Sequence, residues 1–495
     1  MTSTDSVQQA QYGLRRKNLR TLTLLLLASV EHPEHLKLAY SVGDGYFYHL
    51  GGEHPPLPKE VARIKAKMEE MIVADDPIET VTLPREEVRE KLAQLKRDRT
   101  SAWLEDRNNP PPALVRLNGD LFAFDGPLCE RTGDVGPWDL TPYPPGILLR
   151  MPPNGDQELG PQRERPTLFR AFYEGEKWGE IHGTSYVSEV NHAVRSGLLP
   201  DLIQVSEALQ NRTIARIADR ILTTQPRPSV VLVSGPSSSG KTSFSMRLRT
   251  HLRLLGLTPH AIGLDNYYLP RDQVPRTPDG DYDYECLEAL DIELFNESLL
   301  CLISGDTVRL PVIDFQTHHR KEGPAVTLSD KGILIVEGIH GLNPGLTPHL
   351  TAASTFKVYV SALTHLNLDR LNRVSTTDLR LLRRMVRDRR ARGYPADDTL
   401  SRWPIVRRGE LKHIFPYQEE ADVMFNSALP YELNALKPLA LEAMAESTEE
   451  SAVREIERLR DILDGVEPID ANLLNRHLPP TSILREFTGG SVLVS

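Results

Sequence analysis

The sequence predicts an α/β domain built on a mostly parallel sheet, preceded by an α+β domain, and three observations lead to this. The first is the run Gly235, Pro236, Ser237, Ser238, Ser239, Gly240, Lys241, Thr242, Ser243, which fits G-x-x-x-x-G-K-[ST]. It stands between an apolar stretch, 229–234, and an amphipathic one, 244–255, the strand-loop-helix setting that the motif needs. The second is the alternation of strand and helix signals beyond it, which specifies a parallel sheet covered by helices on both faces. The third is length: 495 residues exceed one ordinary core, and proline clusters at 110–112 and 142–145 punctuate the first half.

In chain order, residues 1–14 are polar and read as a disordered tail. Residues 15–222 read as the α+β domain. A helix from Leu19 is followed by a hairpin, 38–48, around Gly43-Asp44-Gly45, then by a helix from Pro58 to Ile72 and short strands such as 146–150. Residues 184–218 read mainly as helix, and 223–228 as a linker. Residues 223–470 form the α/β domain, with strands at 230–233, 259–264, 312–315, 333–336 and 356–360. Its helices run to Leu255, over 292–303, and from His365 to about Arg392, while 471–495 read as a C-terminal tail.

Composition narrows the class. The chain is 40% hydrophobic and 25% charged with a formal charge of -10, which suits a soluble globular protein and supplies no global attraction to nucleic acid. Cys129, Cys286 and Cys301 are odd in number and widely spaced, so neither a disulfide framework nor a Cys-x-x-Cys metal site is expected. Arg15-Arg16-Lys17 followed by the apolar run 22–29 mimics an export signal, yet that run is short, is interrupted by Thr23 and has no small-residue cleavage site. No other stretch approaches the roughly 18 apolar residues of a membrane span. A cytoplasmic protein is expected, and assembly as a homo-oligomer stays open.

The glycines of the 235–243 loop let successive N–H groups and a helix N-terminus face a phosphate, Lys241 adds a positive charge, and Thr242 offers a hydroxyl to magnesium. Asp265 follows a strand, at the edge where open α/β sheets place ligands, so it is a candidate base or metal partner; an Asx-turn role is the alternative. Glu337 ends the apolar strand 333–336 and could hold magnesium.

These motifs, with the segments 264–268 (LDNYY), 282–291 (YDYECLEALD), 309–321 (RLPVIDFQTHHRK), 333–342 (ILIVEGIHGL), 383–393 (RRMVRDRRARG) and 421–426 (ADVMFN), fall in the order of the uridine kinase and phosphoribulokinase superfamily. From about 230 to 426 the chain resembles uridine-cytidine kinase, which implies a P-loop kinase domain acting on a nucleoside 5′-hydroxyl with ATP and Mg²⁺. The resemblance makes Asp265 the general base, Lys241 the neutraliser of phosphate charge, and Thr242 and Glu337 the magnesium partners. It puts Tyr268, Tyr284 and His318 at the base, Glu285 at the ribose hydroxyls, and Arg387 and Arg392 over the phosphates. Arg373, Arg380 and Arg389 read instead as a solvated face.

Two departures are visible. Ile313 stands where the relatives carry a base-contacting tyrosine, and 403–418 form a longer, different lid. Through the segments 36–50 and 58–72, residues 20 to about 100, and more loosely those to about 160, resemble the second additional domain of threonyl-tRNA synthetase, an editing hydrolase, but the helix that should carry its histidine pair has none. The domain is therefore read as a binding, regulatory or assembly module. Alternatives are another small-alcohol kinase, of phosphoribulokinase or pantothenate kinase type, or a tRNA-sensing protein that uses the P-loop as a switch.

Overall fold

Val230 to Val233 are wholly buried on both faces, as a run of β-branched and leucine side chains should be in the middle of a parallel sheet. The computed structural model describes residues 3–52, 54–108, 114–124, 127–152, 158–277, 280–314 and 319–493. The first half holds α1 (Ser3–Ser29), β1 (Lys37–Val42), β2 (Gly45–His49), α2 (Pro58–Ala74), β3 (Glu79–Val81), α3 (Arg85–Gln94), α4 (Asp98–Glu105), β4 (Leu114–Leu117), β5 (Asp120–Ala123), β6 (Asp139–Tyr143) and β7 (Gly146–Arg150). Strands β1-β2-β7-β6 form one antiparallel sheet and β3-β4-β5 another.

Three helices lead out of it: α5 (Pro166–His182), α6 (Val187–Arg195) and α7 (Leu199–Thr223). The stretch 184–218, expected to be mainly helix, is divided into α6 and α7 by Gly197, which adopts the left-handed conformation that stops a helix. The second half continues with β8 (Val230–Ser234), α8 (Lys241–Leu254), β9 (Thr258–Gly263), α9 (Ile292–Ile303), β10 (Thr307–Asp314), β11 (His319–Thr327), β12 (Gly332–Glu337), β13 (Thr355–Ser361) and α10 (Thr376–Arg387). It closes with α11 (Ala396–Gly409), β14 (Val423–Asn426), α12 (Glu432–Ala445), α13 (Val453–Asp464), α14 (Ala471–His477) and α15 (Arg485–Thr488). Its main sheet is parallel throughout, in the order β14-β13-β8-β12-β9.

Several boundaries differ from the sequence reading. The first helix reaches back to Ser3, over the expected disordered tail, since no proline interrupts it. Its apolar run is core: Leu22, Leu24, Leu25, Leu26 and Leu27 are at most 1% exposed. The strand expected at 312–315 is β10, which pairs antiparallel with β11 as a hairpin outside the main sheet.

The long arginine-rich helix begins at Thr376 rather than His365. Ser375 caps it by accepting the Asp378 N–H at 3.0 Å, and the residues before it bond to the first half. There the Leu38 N–H donates to the Arg370 carbonyl at 2.8 Å, and the Asn367 side chain donates to the Leu38 carbonyl at 2.8 Å.

The expected division at 222 also falls inside a core. Ile214, Ile217, Ala218 and Ile221 of α7 pack in the same cluster as Val231, Val233 and Phe244. The expected tail belongs to that cluster as well, through Leu474, Leu478, Ile483, Leu484 and Phe487. An apolar face needs partners, and the main sheet supplies them from both ends of the chain. Among the described residues no helix is long and apolar enough to cross a membrane.

Candidate active site

The phosphate loop runs from the end of β8 to the start of α8, and two glycines fit it there. A Cβ on Gly235 would lie 2.0 Å from the Val360 carbonyl oxygen of β13. Gly240 has φ +83°, and a Cβ there would lie 2.5 Å from Ile483 Cγ2. Within the loop, Lys241 Nζ and the Ser239 N–H both donate to the Pro236 carbonyl, at 3.2 and 3.3 Å. Ser238 takes φ +58°, and the buried hydroxyls of Ser238 and Ser239 have no partner.

The loop is held from behind by α10. Arg380 donates to the Ser237 carbonyl at 3.0 Å and Arg383 to the Ser238 carbonyl at 3.3 Å, while Arg384 reaches the Ser237 hydroxyl at 2.9 Å. Arg380 is 1% exposed and pairs with Glu410, which Arg407 also contacts; Arg383, at 0%, pairs with Glu432. The reading of Arg380 as a solvated residue is thus corrected: its guanidinium is buried because a carboxylate of the following helical segment neutralises it. Arg373 is largely enclosed, with two guanidinium nitrogens buried and unpartnered, whereas Arg389 lies near the surface and pairs with Glu442 and Glu446.

The front of the loop is acidic. Thr242 donates its hydroxyl to Glu337 at the end of β12, at 3.2 Å. Burial raises the Glu337 pKa to about 7 against the pull of Lys241, and the charges of Asp265 and Glu486 push the same way. Asp265 stands on the turn after β9. Asp265 is exposed, yet the protein packed around its carboxyl raises its pKa by desolvation against the pull of Lys241, Arg392 and Arg387.

Tyr268 and Tyr284 meet edge to face, with ring centroids 5.7 Å apart, and the Tyr268 hydroxyl donates to the Tyr284 carbonyl at 3.0 Å. Glu285 packs on Gly409, where a Cβ would come within 2.3 Å of its own Cβ. Burial, then Glu410, raises its pKa to about 8 against Arg384 and Lys241, and its Oε2 is buried without a partner. Arg387 and Arg392 converge on Asp388, at 3.7 and 3.2 Å.

The structure therefore brings Lys241, Thr242, Asp265, Glu285, Glu337, Arg387 and Arg392 to one mouth at the carboxyl ends of β8, β9 and β12. His318 lies outside the described residues. Sequence reasoning missed Arg383, Arg384, Glu410, Glu432 and Glu486. It also missed His340, 1% exposed, whose burial lowers its pKa to about 4. Only the i, i+4 spacing of Arg380, Arg384 and Asp388 in the arginine-rich segment could have signalled one layered face.

Hydroxyl and carboxylate oxygens such as those of Thr242 and Glu337 suit Mg²⁺, which takes one or two protein oxygens and keeps its waters. Among the described residues no group of three or more His, Cys, Asp and Glu side chains could hold a metal alone. A cation here would need further ligands from a bound phosphate.

Residues 230–432 match the Phosphoribulokinase / Uridine kinase family. The uridine kinase of Macrococcus caseolyticus is 29% identical over 199 residues, 40% of this chain and 87% of that protein. The uridine kinase of Saccharomyces cerevisiae is 24% identical over 312 residues, 60% of this chain and 56% of the yeast protein. Among solved structures, a possible uridine kinase from Bacillus stearothermophilus is 19% identical, covering 43% of this chain and 97% of that one, with a TM-score of 0.30. A putative fructose transport system kinase from Silicibacter sp. TM1040 is 21% identical, covering 43% and 98%, with a TM-score of 0.31. A domain of the Phosphoribulokinase / Uridine kinase family thus occupies residues 230–432 of this chain.

Proposed function

We propose that the chain is an ATP- and Mg²⁺-dependent kinase that phosphorylates the 5′-hydroxyl of a nucleoside, uridine or cytidine, in nucleotide salvage. The observation that carries this is the pairing, at one mouth, of a phosphate loop after β8 with a separate carboxylate, Asp265, after β9, with Glu337 at the end of β12 between them. Phosphoryl transfer asks the protein for positioning, charge neutralisation and one oriented nucleophile, and this arrangement supplies all three. Asp265 accepts the proton of the attacking hydroxyl, and its raised pKa brings it nearer to that task. Lys241, Arg387 and Arg392 face the charge that develops on the transferred group, the lysine as a point charge and the two guanidiniums as planar, bidentate donors. Thr242 and Glu337 would hold Mg²⁺, whose contribution is to neutralise phosphate charge.

Tyr268 and Tyr284 offer flat apolar surface for a base, and Glu285 an acceptor for ribose hydroxyls. They favour a nucleoside over a sugar phosphate, which has no flat base to meet the two rings. The first half, similar in sequence to an editing domain but without its histidines, serves as a binding or assembly module. It is fixed to the rest by buried contacts such as the Thr100 hydroxyl to Asp369 Oδ2 at 3.0 Å and the Asn367 side chain to the Leu38 carbonyl at 2.8 Å.

The test is a screen of the purified protein with Mg-ATP against the common nucleosides, ribulose 5-phosphate and pantothenate. Turnover with uridine or cytidine is expected. Turnover confined to a non-nucleoside alcohol would replace the reading with another kinase of the superfamily, and retention of tRNA at physiological salt without turnover would replace it with a switch.

A further inference from the structure

The chain beyond the family match returns to the phosphate loop. Glu486, on α15 and 7% exposed, accepts two hydrogen bonds from Ser243 in the first turn of α8, from the hydroxyl at 2.7 Å and from the N–H at 3.4 Å. Its other oxygen lies 3.6 Å from Arg387 Nη1. Ile483 closes on Gly240, and the Phe487 ring lies 4.8 Å beneath the Arg383 guanidinium. Arg390 clasps the backbone from outside, donating to the Phe487 carbonyl at 3.1 Å and the Glu486 carbonyl at 3.0 Å. The near end of the segment is fixed to α7, where Ser482 donates to Glu207 at 2.5 Å.

These contacts end on groups that the proposed function assigns to the nucleotide. Ser243 lies in the helix turn whose N–H groups face phosphate, and Arg387 is one of the arginines at the mouth. We infer that Glu486 is a positioning residue for nucleotide binding: it fixes the Ser243 turn and the Arg387 guanidinium, so that residues 479–490 form a working part of the ATP site. Buried hydrogen bonds to an ionised carboxylate are stronger than neutral ones, so this single side chain can hold two donors in place. The inference rests on the reading of the loop as the ATP site.

Titration calorimetry of the full chain with Mg-ATP tests it, with thermal midpoints recorded in parallel. Glu486→Ala is expected to weaken Mg-ATP by about tenfold, the order that one lost charge-assisted hydrogen bond commands. Glu486→Gln, which still accepts from Ser243, should recover part of that loss. Ser243→Ala should cost affinity in the parent and little more in Glu486→Ala, because coupled groups are not additive. Should Glu486→Ala fail to fold, Glu486→Gln and Ser243→Ala, singly and together, decide the matter by the same non-additivity.

Unchanged affinity in the variants would overturn the inference, as would fully additive losses. Tighter binding would also overturn it, by making the carboxylate a competitor of phosphate. If the parent protein fails to bind Mg-ATP, the reading of the loop itself falls; if it binds and the variants match it, only the role of Glu486 does.

Discussion

The two sides of the phosphate loop carry similar residue types in opposite states. Behind it, Arg380–Glu410 and Arg383–Glu432 are buried pairs in which each charge has its counter-charge. Burial alone would raise the Glu410 pKa, but Arg380 and Arg407 outweigh it and hold the carboxyl below its usual range. In front, burial wins at Glu285 and Glu337, which are raised to about 8 and about 7. Carboxylates satisfied from within the protein fix the shape of the loop. Those left without a counter-charge of their own are the ones that the proposed function assigns to a substrate and a cation.

The largest effect should come from the front. Asp265→Asn removes a proton acceptor and leaves the fold untouched, so turnover should fall about 10²–10⁴-fold while Mg-ATP binding persists. Because Asp265 is exposed and makes no structural ion pair among the described residues, the unfolding free energy should stay level. Steady-state kinetics with denaturant titration measures both, and near-normal turnover would take Asp265 out of the mechanism.

At the back the same chemical change should act the other way. Glu410→Gln strips the counter-charge from Arg380 and Arg407, and breaking a buried pair from one side costs about 3–5 kcal/mol of stability. Urea unfolding should show the loss even without nucleotide. An unaltered midpoint would mean that the back charges are as exchangeable as surface ones.

How much of this contrast was legible depends on how far apart in the chain the partners lie. The loop from Gly235 to Ser243 is contiguous, and Asp265 and Glu337 end strands whose apolar runs are plain in the sequence, so the front could be read locally. The back could not, since Arg383 meets Glu432 across 49 residues and Ser243 meets Glu486 across 243. Composition makes an arginine-rich helix look solvated, and only the fold reveals the acids that bury it. The start of α10 was misplaced for a related reason: residues before Ser375 spend their backbone groups on β1 and α6, a tertiary demand that overrides local helical propensity.

A smaller effect separates the two sides by pH. A carboxyl whose pKa is raised on folding binds a proton in the native state that the unfolded chain has released. Between the ordinary glutamate value of 4.5 and about 7 for Glu337, or about 8 for Glu285, stability therefore falls as pH rises. Below 4.5 these two groups impose no cost. The thermal midpoint of the nucleotide-free protein should decline from pH 6 to pH 8, and Glu337→Gln should flatten that slope. Stabilisation by Mg-ATP should grow over the same interval, because Glu337 must be ionised to meet a cation. A slope unchanged by Glu337→Gln would place the titration elsewhere.

The smallest expected effect concerns selectivity at the cleft wall. Ile313 is 8% exposed, and its N–H donates to Asn266 on the turn that carries Asp265, at 3.0 Å, so its backbone is fixed relative to the proposed base. An apolar wall separates similar substrates by only about 1–3 kcal/mol, whereas a site that hydrogen-bonds its ligand rejects the wrong one more strongly. With Ile313 at this position the protein should distinguish uridine from cytidine weakly or admit a purine nucleoside. Ile313→Tyr should then sharpen pyrimidine preference by up to about tenfold in kcat/KM, with the Asn266 bond intact because only the side chain changes. Competition between paired nucleosides in one reaction would measure the ratio directly. A parent enzyme strictly confined to uridine, with a ratio that Ile313→Tyr leaves alone, would move base recognition to His318 or to the segment after Arg392.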